Sequence, residues 1–114
     1  MLTLYGIPNC DSCRKARKLL DAGGADYRFH DLRADGVSGE MLDRWLSSID
    51  WNALLNTRST TWRGLDEAEK KDLDVTRARN LMLAHPTLIK RPVAESGKVV
   101  KVGFSPDLYA EWAG

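Results

Sequence analysis

The two cysteines of the chain, Cys10 and Cys13, are separated by two residues and lie where one kind of periodicity gives way to another. Before them, Leu2-Thr3-Leu4-Tyr5 is a short β-prone run closed by Gly6-Ile7-Pro8-Asn9, residues that stop a strand. After them, Ala16, Leu19 and Leu20 recur at helical spacing while Arg14, Lys15, Arg17 and Lys18 fill the other faces, until Gly23-Gly24 ends the pattern. The pair is therefore expected between the end of a strand and the first turn of a helix. Unpaired backbone N–H groups and the helix dipole favour an anion there. A thiolate at Cys10 is the natural anion, and a cysteine so placed commonly ionises below the ordinary value of ~8.5. Arg14 is expected to reinforce that shift and Asp11 to oppose it. Cys13, one turn further in, is placed to attack a mixed disulfide on Cys10. The expected roles are nucleophile for Cys10 and resolving thiol for Cys13.

A bridge between residues so close in sequence constrains little of the unfolded chain, so a stabilising disulfide is a poor account of the pair. Zinc would need two more ligands. The two histidines, His30 and His85, are too far apart in sequence to form the second half of a zinc finger, and both are expected to be structural. No metal is expected.

The second strand is read at Tyr27-Arg28-Phe29-His30-Asp31-Leu32, giving β-α-β with parallel strands and a right-handed connection. Ser38 can cap a helix with the stripe Met41, Leu42, Trp45, Leu46 and Ile49. Asp66-x-x-Glu69 resembles a capping box for a short helix to about Asp72, and Asp74 can cap another that carries Val75, Ala78, Leu81 and Met82 on one face and ends before Pro86. Apolar runs at Leu88-Ile89 and Val93-Ala94 flank Lys90-Arg91-Pro92, and Ser96-Gly97 turns into Val99-Val100-Lys101-Val102-Gly103, an expected antiparallel pair. Ser105-Pro106 opens a last helix that buries Leu108, Tyr109 and Trp112. With 114 residues and 43% apolar composition this is one domain, and the order β-α-β, helices, β-β-α defines an α/β fold.

Seventeen Lys and Arg against sixteen Asp and Glu leave a formal charge of +1, too little to drive general nucleic-acid binding. The basic run Arg14-Lys15-Arg17-Lys18 has no interleaved aromatics and is read as a solvated helix face. No apolar run approaches the roughly 20 residues of a membrane span, and no secretory signal is legible at the N-terminus. A cytoplasmic location is expected, with no membrane partner. The tryptophans are read as core anchors, with Trp62, beside the Arg58 segment, the one that could do more.

The stretches Leu4-Tyr5-Gly6-Ile7-Pro8-Asn9-Cys10, Cys13-Arg14-Lys15-Ala16-Arg17, Tyr27-Arg28-Phe29-His30-Asp31, Asn56-Thr57-Arg58 through Trp62-Arg63, and His85-Pro86-Thr87-Leu88-Ile89-Lys90-Arg91-Pro92 resemble the arsenate reductase family of thioredoxin-like proteins, most of all its YffB-type, glutathione-dependent thiol reductases. The resemblance spans essentially the whole chain. It implies a thioredoxin-like fold with an inserted helical subdomain at about 37–85, and a cis Arg91–Pro92 bond. It places Asn9, Arg58, Arg91 and Pro92 at the substrate or glutathione site, the two arginines holding an oxyanion or carboxylate through paired donors. Glutathione would be co-substrate, no cofactor would be bound, glutaredoxin is a possible partner, and the working unit would be a monomer.

The chain departs from arsenate reductases twice. Gly103-Phe104-Ser105-Pro106 stands where they carry a third arginine in Gly-Arg-Pro, so arsenate is an unfavourable substrate: one lost charge-assisted hydrogen bond, worth roughly 1.5–3 kcal/mol, costs about tenfold to a hundredfold. Cys13 is the second departure, since many relatives have a single cysteine here. The pair resembles Spx-type transcription regulators, whose C-x-x-C is a disulfide switch and which bind the RNA polymerase alpha subunit. That is the alternative reading.

Overall fold

The computed structural model of the chain describes residues 2–107 and residue 109. Contacts divide it into two units, the described parts of Met1–Asp35 and Arg91–Gly114 forming the first and Gly36–Lys90 the second.

The first unit is built on a four-stranded sheet. Its strands are β1 (Leu2–Gly6), β2 (Tyr27–Asp31), β3 (Val93–Ser96) and β4 (Val99–Val102), in the order β2-β1-β3-β4. β1 runs parallel to β2, with Leu4 opposite Phe29, and antiparallel to β3, with Leu4 opposite Ala94. β3 and β4 form the expected antiparallel hairpin, in which Gly97 takes φ +60°, a left-handed turn conformation open to glycine without a Cβ penalty. The first helix, α1 (Asp11–Ala22), connects β1 to β2 and lays Ala16 and Leu20 on Leu2, Leu4 and Ala94. All five are buried, and Tyr109 completes the cluster with its hydroxyl donating to the Gly103 carbonyl at 3.1 Å. Burying each leucine stabilises the unit by about 1.5–3 kcal/mol. Of the expected last helix, Pro106, Asp107 and Tyr109 are helical, and Leu108 and Trp112 lie outside the described residues.

The second unit is helical. It contains α2 (Gly39–Leu46), α3 (Trp51–Leu54), α4 (Thr60–Arg63), α5 (Glu67–Lys70), α6 (Val75–Ala84) and a 3₁₀ turn at Pro86–Leu88. Its boundary at Gly36–Lys90 runs five residues beyond the insertion expected from the sequence. The expected caps are in place: Ser38 accepts from the Met41 N–H at 3.2 Å, Asp74 from the Arg77 N–H at 2.8 Å, and Asp66 and Glu69 form a capping box. α6 packs on α2, α3 and the 3₁₀ turn, burying Leu42, Trp45, Leu54, Ala78, Met82 and Leu88. Arg79 of α6 clasps the Asp43 carboxylate of α2 with Nε–Oδ1 at 2.7 Å.

Four expectations shift. α2 stops at Leu46, so Ile49 lies past its end. α5 is a single turn ending at Lys70, and Asp72 takes φ +53° beyond it. Val75, the first residue of α6, is 48% exposed, and burial along that face begins one turn later at Ala78. Leu88 and Ile89 do not extend the hairpin: Leu88 belongs to the 3₁₀ turn, and Ile89 makes one isolated antiparallel bridge to Leu55.

Candidate active site

Cys10 sits at the N-cap position of α1 in extended conformation (φ −95°, ψ 127°), where β1 has just ended and the Pro8-Asn9 turn brings the Cys10 N–H to the Ile7 carbonyl at 3.3 Å. Its thiol is half-buried; Cys13 is fully buried on the inner face of α1, and both are free thiols. Asn9 is exposed in the turn. The Arg91–Pro92 bond is cis, and it leads directly into β3, the strand beside β1.

The two thiols are driven in opposite directions. Burial pushes Cys10 up, but the backbone N–H and thiol of Cys13 and the Arg91 guanidinium favour its thiolate more strongly, and the balance lies below the ordinary thiol value. For Cys13, burial dominates, the adjoining Cys10 charge adds to it, and the thiol is pushed up to about 12 despite the Ile7 N–H and Arg91. One group of this pair ionises more readily than an ordinary thiol and the other is held as a thiol. The expected contribution of Arg14 is not found. Its guanidinium pairs with Asp11 one turn away on α1, so the cation beside the sulfur is Arg91.

Gly6 was legible only as a strand end, yet it makes room for Cys13. A Cβ at Gly6 would collide with the Cys13 sulfur and crowd its Cβ. A glycine inside a strand often marks such a close approach, and that was the available signal. Gly103, with φ +85°, carries the carbonyl that receives Tyr109, and Phe104 stacks on Tyr109 with ring centroids 5.6 Å apart. Packing thus occupies the Gly103-Phe104 stretch. Burial and the nearby Cys13 raise the Tyr109 phenol well above its ordinary value, so it remains a neutral donor.

Arg58 belongs to the helical unit. It lines an open cleft of about 290 Å³ with Asn52, Leu55, Asn56, Thr57 and Lys90. Asn52 carried no sequence motif, and Asn56 and Lys90 lay inside family-like stretches with no role assigned to them. Trp62, in the same unit, lies under the Lys70 ammonium, 5.4 Å from it. Among the described residues, no group of three or more His, Cys, Asp or Glu side chains is arranged to hold a metal ion.

The ArsC family profile matches residues 5–112, from β1 through the segment that carries Tyr109. The chain belongs to the ArsC family. An uncharacterized protein of Haemophilus influenzae is 43% identical over 110 residues, covering 96% of each chain. The global transcriptional regulator Spx of Streptococcus mutans is 31% identical, covering 94% of this chain and 79% of its own. Among solved structures, the YFFB protein superposes with a TM-score of 0.96 at 48% identity, covering both chains completely. The α/β, thioredoxin-like architecture is therefore that of the ArsC family, and the Spx regulators are related to it. Among the described residues no helix is long and apolar enough to cross a membrane.

Proposed function

We propose that this ArsC-family protein is a glutathione-dependent thiol–disulfide reductase with Cys10 as nucleophile and Cys13 as resolving thiol. The observation that carries the reading is the split between the two thiols, one lowered beside Arg91 and the other buried and raised to about 12. The Cys10 thiolate attacks one sulfur of a disulfide, forming a Cys10–substrate disulfide and expelling the other half as thiolate, which takes a proton from water. Discharging Cys10 removes the charge that helps hold the proton on Cys13. Cys13 then loses that proton and attacks the Cys10 sulfur, releasing the second substrate thiolate and leaving a Cys10–Cys13 disulfide. Two glutathione molecules restore both thiols and leave as glutathione disulfide. Alternatively, one glutathione thiolate attacks the Cys10 sulfur and releases the second substrate thiolate, and a second glutathione attacks the Cys10–glutathione disulfide, leaving as glutathione disulfide and restoring the Cys10 thiolate. Arg91 stabilises the attacking thiolate, and Asn9, Pro92 and Arg58 contribute to binding, Arg58 as a donor for an anionic group. The protein acts as a cytoplasmic monomer, as one domain with a helical insertion.

The test is reduction of hydroxyethyl disulfide by glutathione, coupled to NADPH oxidation through glutathione reductase, with arsenate as a parallel substrate. Turnover that disappears in Cys10→Ser supports the reductase. Arsenate turnover would overturn the argument from Gly103-Phe104. The 31% identity to Spx together with the cysteine pair favours a second reading, a redox-switched regulator that binds the RNA polymerase alpha subunit. Failure of both substrates, with a readily formed Cys10–Cys13 disulfide and copurification with RNA polymerase, would support that reading.

A further inference from the structure

The outer helices of the helical unit carry charged chemistry that the cysteine mechanism does not use. Arg77, Asn80 and Leu81 stand at i, i+3 and i+4 on one face of α6 and, with Glu69 of α5, line a cleft of about 240 Å³. This cleft lies wholly within the one unit. Its two opposite charges do not pair. Among the described residues, Glu69 and Arg77 form no ion pair with each other or with a third residue, whereas Lys70 and Arg79, on the same two helices, each hold a carboxylate. Each is tied instead by a hydrogen bond of its own. Glu69 Oε1 accepts the Asp66 N–H at 3.3 Å as the closing half of the capping box, and Arg77 Nη2 donates to the Ala68 carbonyl at 3.0 Å. A carboxylate has a second oxygen and a guanidinium has further N–H donors, so both groups keep capacity for a ligand. Asn80 Oδ1 accepts from Arg79 at 3.3 Å, which leaves the Asn80 N–H₂ as a donor. Leu81, half-buried, supplies an apolar wall.

We propose that this cleft binds a free α-amino acid with an aliphatic side chain, Glu69 taking the ammonium group, Arg77 and Asn80 the carboxylate, and Leu81 the hydrocarbon. A molecule of that class carries all three features on one carbon, and the lining supplies the complement of each. A simple anion is repelled by Glu69 and a simple cation by Arg77, whereas a zwitterion satisfies both. Size agrees with this choice. The volume of about 240 Å³ lies below the ~300 Å³ at which pockets for drug-sized ligands begin, and is about eight times the ~30 Å³ share of one water in the liquid. That is room for one amino acid rather than for a tripeptide such as glutathione. Arg77 and Asn80 are exposed, so the site discriminates modestly. The assignment does not rest on the reductase reading, because none of these residues takes part in the thiol chemistry.

The experiment titrates the full chain, in mildly acid buffer, with L-leucine, with L-leucine methyl ester, which lacks the carboxylate charge, with N-acetyl-L-leucine, which lacks the ammonium group, and with glutathione, following the Asn80 side-chain amide resonances. L-leucine is expected to shift them, with the ester and the acetyl compound each binding about twofold to fivefold more weakly, the scale of one exposed ion pair. Glu69→Gln keeps an oxygen that can accept the Asp66 N–H, so the cap is preserved while the charge is removed. This variant is expected to lose the preference for L-leucine over N-acetyl-L-leucine and to retain the preference over the ester. Arg77→Gln is expected to do the converse, with its folding checked by urea titration; should it unfold, Glu69→Gln alone decides. No shift of Asn80, equal binding of the three leucine compounds, an unchanged preference in Glu69→Gln, or glutathione binding as tightly as L-leucine would each overturn the proposal.

Discussion

Cys10 and Cys13 are chemically identical side chains three positions apart, and their different behaviour comes from a few neighbours. Burial raises both, but at the half-exposed Cys10 the Cys13 N–H and thiol and the Arg91 guanidinium together outweigh it, whereas at Cys13 it prevails. Arg91→Ala is therefore expected to move the pH midpoint of Cys10 alkylation upward and to slow alkylation at neutral pH severalfold. Rates measured with iodoacetamide across pH check this, and an unmoved midpoint would show that Arg91 does not set the ionisation. Cys10→Ser should abolish turnover while leaving urea stability equal or slightly higher, because serine is a good N-cap and Cys10 occupies that position on α1. Cys13→Ser should retain a glutathione-dependent part of the activity and accumulate the Cys10 mixed disulfide, visible by mass spectrometry. Equal loss in both variants would make the intramolecular disulfide obligatory. Gly6→Ala forces the Cys13 sulfur to move and is expected to cost about 1–3 kcal/mol by denaturant titration. The cysteines were legible from spacing alone, and Arg91 only through its motif. Arg14 was misread because an acid at the neighbouring helical position captured it locally, and Gly6 was missed because what it accommodates arrives from the next element.

At the scale of elements, legibility follows length and punctuation. α1 and α6 have enough turns for a 3.6-residue period, and Ser38, Asp66 and Asp74 announce helix starts by chemistry that is local in sequence. α3 and α4 are four residues each, too short for any periodicity; α3 is anchored by the buried Leu54, and α4 by its Ser59 cap and the 2.7 Å hydroxyl contact of Thr61 with Thr87. The caps give a direct prediction. Ser38→Ala and Asp74→Ala should each destabilise by about 1 kcal/mol, whereas Asp43→Asn, which loosens an exposed pair to Arg79, should cost less than about 1 kcal/mol. Equal losses in thermal or urea unfolding would mean that the Arg79–Asp43 clasp does more than its exposure suggests.

For the whole molecule, the buried thiol makes stability pH-dependent with a definite sign. Cys13 titrates at about 12 in the folded chain and at ~8.5 when unfolded. Below ~8.5 both states keep the proton and the contribution is complete; above it the unfolded chain loses its proton first, so stability falls as pH rises toward 12. Cys10 has the opposite sign: its lowered value contributes stability above the unfolded value and loses it as pH falls through the folded one. Unfolding free energies at pH 7 to 10 should therefore decline less steeply in Cys13→Ala than in the parent chain, and an identical slope would remove Cys13 as the cause. The sheet order could not be read from the sequence, because no local pattern states that β3 lies beside β1.

That neighbour relation bears on how the protein is made. Of the four strands β1 leaves the ribosome first, and its antiparallel partner follows about ninety residues later, with the entire helical segment synthesised between them. Through most of translation β1 can pair only with β2, and its other edge, in a run as apolar as Leu2-Thr3-Leu4-Tyr5, stays open to intermolecular strand pairing. The step that covers this edge also brings Arg91 and Pro92 into place at the head of β3. A nascent chain that has not yet closed its sheet is therefore also one whose Cys10 has the Cys13 N–H beside it but not yet its guanidinium, and the thiolate gains that last support only when the open edge is sealed.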